Sequence, residues 1–124
     1  MSRQTRILIV EDQEDIAEIL GEIVESLGHH VGFAPTIADA VAAVRADAPD
    51  AILLDVVLPD ARETQGLDAL RAAAGPSMPI VMVTANVDED LGRELLKRGA
   101  FDYIMKPFER NQLDRALTAA IGSS

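Results

Sequence analysis

The chain has no cysteine and no tryptophan, and only one tyrosine and three phenylalanines among its 124 residues. Without cysteine, disulfides and thiolate metal sites are excluded, and the lack fits a reducing compartment. Positive charge is also scarce: 11 Lys and Arg stand against 21 Asp and Glu, a net charge of −10. Such a chain repels phosphate and an anionic membrane surface, so neither nucleic acid nor membrane is expected as a direct partner. The same balance suits cations and basic partners. No apolar run approaches the roughly 20 residues that span a bilayer. The opening Met1-Ser2-Arg3-Gln4-Thr5 runs straight into an apolar stretch with no signal-peptide architecture, so the expected location is the cytoplasm. There is no linker, repeat or low-complexity tract. With 48% apolar residues the chain can build one full core. One domain over residues 1–124 is expected, with Gly122-Ser123-Ser124 as a frayed tail.

Two patterns alternate along the chain. Short apolar runs lie at residues 7–10, 30–34, 51–54, 79–83 and 103–105, the second weaker than the others. They do not alternate with polar residues, which is the pattern of strands buried on both faces of a parallel sheet. Between them come segments of helical period. Ile16, Ile19, Leu20, Ile23, Val24 and Leu27 step by three and four before Gly28. Ile37, Val41 and Val44 follow Thr36, which with Asp39 resembles a capping box. Leu67 and Leu70 precede Gly75-Pro76; Leu91, Leu95 and Leu96 precede Gly99; Leu113, Leu117 and Ile121 make the last segment. Five strands alternating with five helices predict an α/β fold, a doubly wound parallel sheet with helices on both faces. The common five-stranded order is 2-1-3-4-5, the flavodoxin-like arrangement.

In such sheets ligands bind beyond the carboxyl ends of the strands. Glu11 and Asp12 follow strand 1, Asp55 follows strand 3, Thr84 follows strand 4, and Lys106-Pro107 follows strand 5. Strand 2 is followed by Pro35-Thr36, which offers no obvious chemistry. In the expected order strand 3 is central, so Asp12 and Thr84 flank Asp55 from strands about 5 Å away. Lys106 stands one strand further, within reach of a long side chain. Three carboxylates this close cannot all ionise without a neutralising charge. An all-oxygen set with few protein ligands suits Mg²⁺, which retains waters and accepts a phosphate oxygen. A carboxylate can then act as nucleophile and form an acyl phosphate.

These motifs, Ile-Leu-Ile-Val-Glu11-Asp12, Leu-Leu-Asp55-Val-Val-Leu-Pro59, Val-Thr84-Ala85 and Tyr103-Ile-Met-Lys106-Pro107-Phe108, resemble the response-regulator receiver domain of bacterial two-component signalling, over nearly the whole chain. The resemblance implies that Asp55 accepts a phosphoryl group from a sensor histidine kinase or a histidine phosphotransfer protein. It implies that Asp12, Asp55 and the Val57 carbonyl ligate Mg²⁺, with Glu11 acting mainly through water. Lys106 pairs with Asp55 and then with the phosphoryl group, and Thr84 and Tyr103 form the switch pair. Output is expected through the face of helix 4, strand 5 and helix 5, with Arg93, Lys97, Arg98, Tyr103 and Arg110 as candidate contacts; a weak homodimer through that face is left open. The chain is then a phospho-acceptor switch and no enzyme on external substrates.

One departure stands beside the site. Gly66 lies eleven positions after Asp55, about three more than the family usually has, in the loop before helix 3. Other readings compete. Asp12 could cap helix 1. A dinucleotide-binding enzyme needs a glycine-rich turn where Glu11-Asp12-Gln13 stands. An aspartyl-phosphate phosphatase of the haloacid dehalogenase type needs a second Asp where Val57 stands. A receiver-like binding module that needs no phosphorylation has no use for the intact acidic pair, Thr84 and Lys106. His29 and His30 read as exposed turn residues at the opposite end of the sheet, and Asp88-Glu89-Asp90 as an acidic start to helix 4.

Overall fold

The computed structural model describes residues 5–55, 58, 60, 64–84 and 89–123. Its elements are β1 (Arg6–Val10), α1 (Glu14–Ser26), β2 (His30–Ala34), α2 (Ile37–Ala46), β3 (Ala51–Asp55), α3 (Gln65–Ala74), β4 (Ile80–Thr84), α4 (Glu89–Lys97), β5 (Asp102–Met105) and α5 (Arg110–Ser123). The strands form one sheet in the order β2-β1-β3-β4-β5, and every neighbouring pair is parallel. This is the expected doubly wound, flavodoxin-like fold.

The three inner strands are apolar on both faces because both faces are covered. Leu8, Ile52, Leu54, Ile80 and Met82 point into one core with Ile37, Val44, Leu67, Leu70 and Leu95, which places α2, α3 and α4 on that side. Ile7, Ile9, Leu53, Val81 and Val83 point into the other with Leu20, Val24, Leu113 and Leu117, which places α1 and α5 there. The edge strand β2 is mostly exposed, which explains its weak signal in the sequence. Pro79 precedes β4 instead of opening it: it has no N–H to give, but its carbonyl accepts from Ile52 N–H at 3.0 Å.

Local signals acted as the residue types dictate. Thr36 Oγ1 accepts the Asp39 N–H at 3.1 Å and caps α2. The helix stops at Gly28, Gly75 and Gly99 all have positive φ, at 98°, 91° and 104°. Asp12 does not cap α1; the capping position is Gln13, with no side-chain hydrogen bond. Helix α5 takes in Gly122 and Ser123, where the sequence predicted a frayed tail. The backbone ladder continues through Gly122, where a Cβ would touch nothing within 4 Å.

Candidate functional site

Strand register brings the site together. Asp55 and Thr84 are the last residues of β3 and β4, which extend one position past the ends that the apolar runs predicted. Glu11 follows β1 and is pinned by its N–H, which donates to the Ala34 carbonyl at 3.1 Å. Lys106 follows β5, and its N–H donates to the Thr84 carbonyl at 2.7 Å. The Lys106–Pro107 peptide bond is cis.

The three carboxylates and the lysine come together at this edge. Glu11, Asp12 and Asp55 each offer a carboxylate oxygen, and the three oxygens lie within 4.8 Å of one another. Lys106 Nζ stands 3.4 Å from Asp55 Oδ2 and 3.8 Å from Glu11 Oε1. Thr84, at the end of β4, is buried at 2% exposure. Tyr103 is half-buried against the core on the α4 side. Alternation puts Thr84 on the same sheet face as Ile80 and Met82, the face to which Tyr103 also packs. Met82 pairs with Tyr103 and Thr84 with Met105, so the two expected switch residues sit on adjacent strands, one side-chain repeat apart. Val57, the expected carbonyl ligand, lies outside the described residues.

The electrostatics are strained. Glu11 is 5% exposed, and among the described residues neither of its carboxylate oxygens has a hydrogen-bond partner. Burial, and then the adjacent Asp55 carboxylate, push its pKa up to about 8; Asp12 adds repulsion and Lys106 opposes it. Two ionised carboxylates have only acceptors to show each other, whereas a protonated Glu11 can donate to Asp55. Among the described residues one lysine stands against three carboxylates, which leaves the cluster short of positive charge.

Three residues outside the sequence reading also matter. The Asp60 carboxylate accepts from Ile37 N–H at 3.0 Å and Ala38 N–H at 3.1 Å. It therefore ties the longer loop after Asp55 to the start of α2, and these bonds, Ile37 first, hold its pKa below the usual carboxylate range. Nothing local signals this contact, because its partners lie 22 and 23 positions earlier. Arg71 clamps the far end of the sheet, and Gly92 receives the Tyr103 ring; both are taken up below. Among the expected output contacts, Arg93 is paired within its own helix to Asp90. Arg98 bridges Glu94 and Asp68 on α3 at 2.8 and 2.6 Å. Arg110 turns toward α1, where its Nε meets Ser26 Oγ at 3.3 Å. Only Ser26 could have revealed that, and a lone serine carries no such signal. His29 contacts Thr5 through Nδ1, at the end of the sheet away from the carboxylates.

A parallel five-stranded sheet with a carboxylate cluster and a lysine at its carboxyl edge defines a class, and the comparisons agree with it. Residues 7–118 match the response regulator receiver domain family, and the chain belongs to that family. It is 40% identical over 111 residues to the DNA-binding response regulator MtrA of Mycobacterium tuberculosis, covering 87% of this chain and 46% of MtrA. It is 33% identical over 115 residues to the regulatory protein LuxO of Vibrio vulnificus, covering 91% of this chain and 25% of LuxO. The chain thus spans less than half the length of these curated relatives. Among solved structures, the receiver domain of a sensor histidine kinase from Pseudomonas aeruginosa is 35% identical with a TM-score of 0.85, covering 98% of this chain and 100% of that one. That structure holds a magnesium ion coordinated in its active-site cleft. A CheY-like receiver domain protein from Methanospirillum hungatei is 30% identical with a TM-score of 0.86, covering 97% and 95% of the two chains. Among the described residues no helix is long and apolar enough to cross a membrane.

Proposed function

We propose that this receiver domain is a phosphorylation switch whose acceptor is Asp55. The observation that carries the reading is the packing of three carboxylate oxygens within 4.8 Å, with Lys106 Nζ 3.4 Å from Asp55. The donor is a phosphohistidine on a sensor histidine kinase or phosphotransfer protein. An Asp55 oxygen forms a bond to phosphorus as the donor's N–P bond breaks, and the imidazole leaves with the electron pair. Lys106 holds Asp55 before transfer and pairs with the phosphoryl oxygens after it. The buried Thr84 hydroxyl turns toward the new group, and Tyr103 answers on the neighbouring strand. The face of α4, β5 and α5 then carries the altered shape to an output partner.

The donor set fits Mg²⁺: it is all oxygen, it is overcharged, and Glu11 is buried with its oxygens unsatisfied. Asp12 and Asp55 would hold the ion with the Val57 carbonyl, and Glu11 would act through water. The bound ion supplies positive charge that lets an anionic phosphoryl group enter an acidic cleft. The bacterial receiver structure with magnesium in its cleft supports this reading by likeness.

Incubation with a small phosphodonor and Mg²⁺ tests the proposal. Intact mass should rise by one phosphoryl group in the wild type and not at all in Asp55→Ala, and a chelator should suppress the gain. Undiminished labelling of Asp55→Ala would sink the assignment.

A further inference from the structure

Two strands at opposite edges of the sheet each lay an aromatic ring on a helix glycine. Phe33 of β2 covers Gly21 of α1, and Tyr103 of β5 covers Gly92 of α4. A Cβ at position 92 would stand 2.8 Å from Tyr103 Oη, 2.9 Å from Cζ and 3.0 Å from Cε1. Those distances are shorter than carbon makes without displacement, so the ring lies where an alanine methyl would have to be. Gly92 sits inside a nine-residue helix and is buried. Glycine in a helix interior is among the poorest choices for helix stability. Its backbone there is not in the left-handed region that would demand glycine. What the missing side chain provides is space for Tyr103.

That space lies next to the site. Tyr103 shares a sheet face with Thr84 and stands one side-chain repeat from it on the adjacent strand. Met105, further along the same strand, is 47% exposed, while Tyr103 reaches the core between β5 and α4. We propose that Gly92 is a positioning residue of the switch. By leaving the groove between β5 and α4 open, it admits the Tyr103 ring and sets the balance between the ring's inward and outward rotamers. Residue 92 thereby sets how strongly the output face answers Asp55, an inference that rests on the phosphorylation reading above. The clashing atoms are the far end of a side chain that rotates about its own bonds. A methyl at 92 is therefore accommodated by the ring swinging outward, with the fold kept.

The test uses the composition of the chain. Tyr103 is the only tyrosine and there is no tryptophan, so intrinsic fluorescence reports one residue. In the unphosphorylated protein, Gly92→Ala should make Tyr103 more accessible to acrylamide quenching. Gly21→Ala should leave that quenching unchanged, because it moves Phe33 at the other edge. With beryllofluoride and Mg²⁺ as phosphoryl mimic, the wild type should lose quenching, and Gly92→Ala should lose less. Unchanged quenching in Gly92→Ala together with a higher melting temperature is what a helix glycine with no link to the ring would show, and it overturns the proposal. If Gly92→Ala instead melts lower, Gly92→Ala/Tyr103→Val should recover the loss; a cost that persists without the ring also overturns it. A wild type whose Tyr103 ignores beryllofluoride, while Asp55→Ala still blocks phosphorylation, removes Tyr103 from the switch and the regulatory claim for Gly92 with it. Failure of phosphorylation itself is read separately, from the mass of the wild-type protein.

Discussion

The two ends of the sheet treat their polar residues in opposite ways. At the amino end, Arg71 Nη1 donates to the carbonyls of Gly75 at 2.8 Å and Met78 at 2.6 Å, and Nη2 to that of Gly99 at 2.5 Å. One side chain thus ties the C-terminus of α3 to the start of β4 and the turn after α4. Arg6 plays the same part at the other side, through Asp47 and the Ala48 carbonyl at 2.7 Å. Among the described residues each guanidinium leaves its Nε without a partner. At the carboxyl end, Glu11 has neither oxygen hydrogen-bonded among the described residues, and Lys106 faces two of the three clustered carboxylates, Glu11 and Asp55. The contrast is one of pairing: at one end two guanidiniums are held by carbonyls and Asp47, while at the other like charges crowd together, which is the end where the proposed function lies.

The largest expected effect breaks this contrast at its functional end. Asp55→Ala should abolish phosphoryl incorporation while leaving the protein folded, since it removes one of three repelling carboxylates. Mass spectrometry and a thermal melt on the same sample check both halves. Next, Mg²⁺ at a hundredfold excess over its Kd should stabilise the wild type by about 2.7 kcal/mol, because the ion binds only the folded state. Asp12→Asn should lose that response and melt higher than the wild type in the absence of metal. A melting temperature indifferent to millimolar-scale Mg²⁺ would mean that the cluster is complete without an ion.

Arg71→Ala tests the structural end. It strips three carbonyls of a charged donor and should cost about 2 kcal/mol, with Mg²⁺ binding and labelling of Asp55 retained. Chemical denaturation separates the two, and loss of Mg²⁺ binding at matched stability would show that the ends are not independent. The smallest effect sits between them. Asp60 is an ionised acceptor at the start of α2, and its folded pKa is lowered. Its contribution is therefore present above the unfolded carboxylate pKa, about 3.9, and is lost as pH falls through the lower folded value. Wild type should melt slightly above Asp60→Asn at neutral pH, and the gap should close in acid. Melting curves from pH 7 downward check this, and a gap independent of pH would assign the effect to loop packing instead of charge.

Much of this was legible from the residues in order. Apolar runs without alternation mean strands buried twice, and period-3.6 segments closed by glycine mean helices, because burial and backbone sterics act over a few neighbours. The gathering of Glu11, Asp12, Asp55 and Lys106 at one edge was legible too, since all strands of a parallel sheet end at the same edge. The one-residue difference at the ends of β3 and β4 arose because Asp55 and Thr84 are polar yet still carry ladder hydrogen bonds. The Arg98 and Arg110 contacts were not legible: a long flexible cation reads as a solvent-side charge until the neighbouring helix supplies Asp68 or Ser26.

By itself, then, the order of residues determined the element types, the parallel sheet and the chemical identity of the groups at its carboxyl edge. Tertiary structure alone decided that Asp60 would cap a helix two elements earlier, that Arg71 would find carbonyls from separate turns, and that the Tyr103 ring would rest on Gly92. The physical reason is range. Periodicity and capping are enforced by contacts within about four residues, whereas these partners are joined only when packing closes the space between strand and helix.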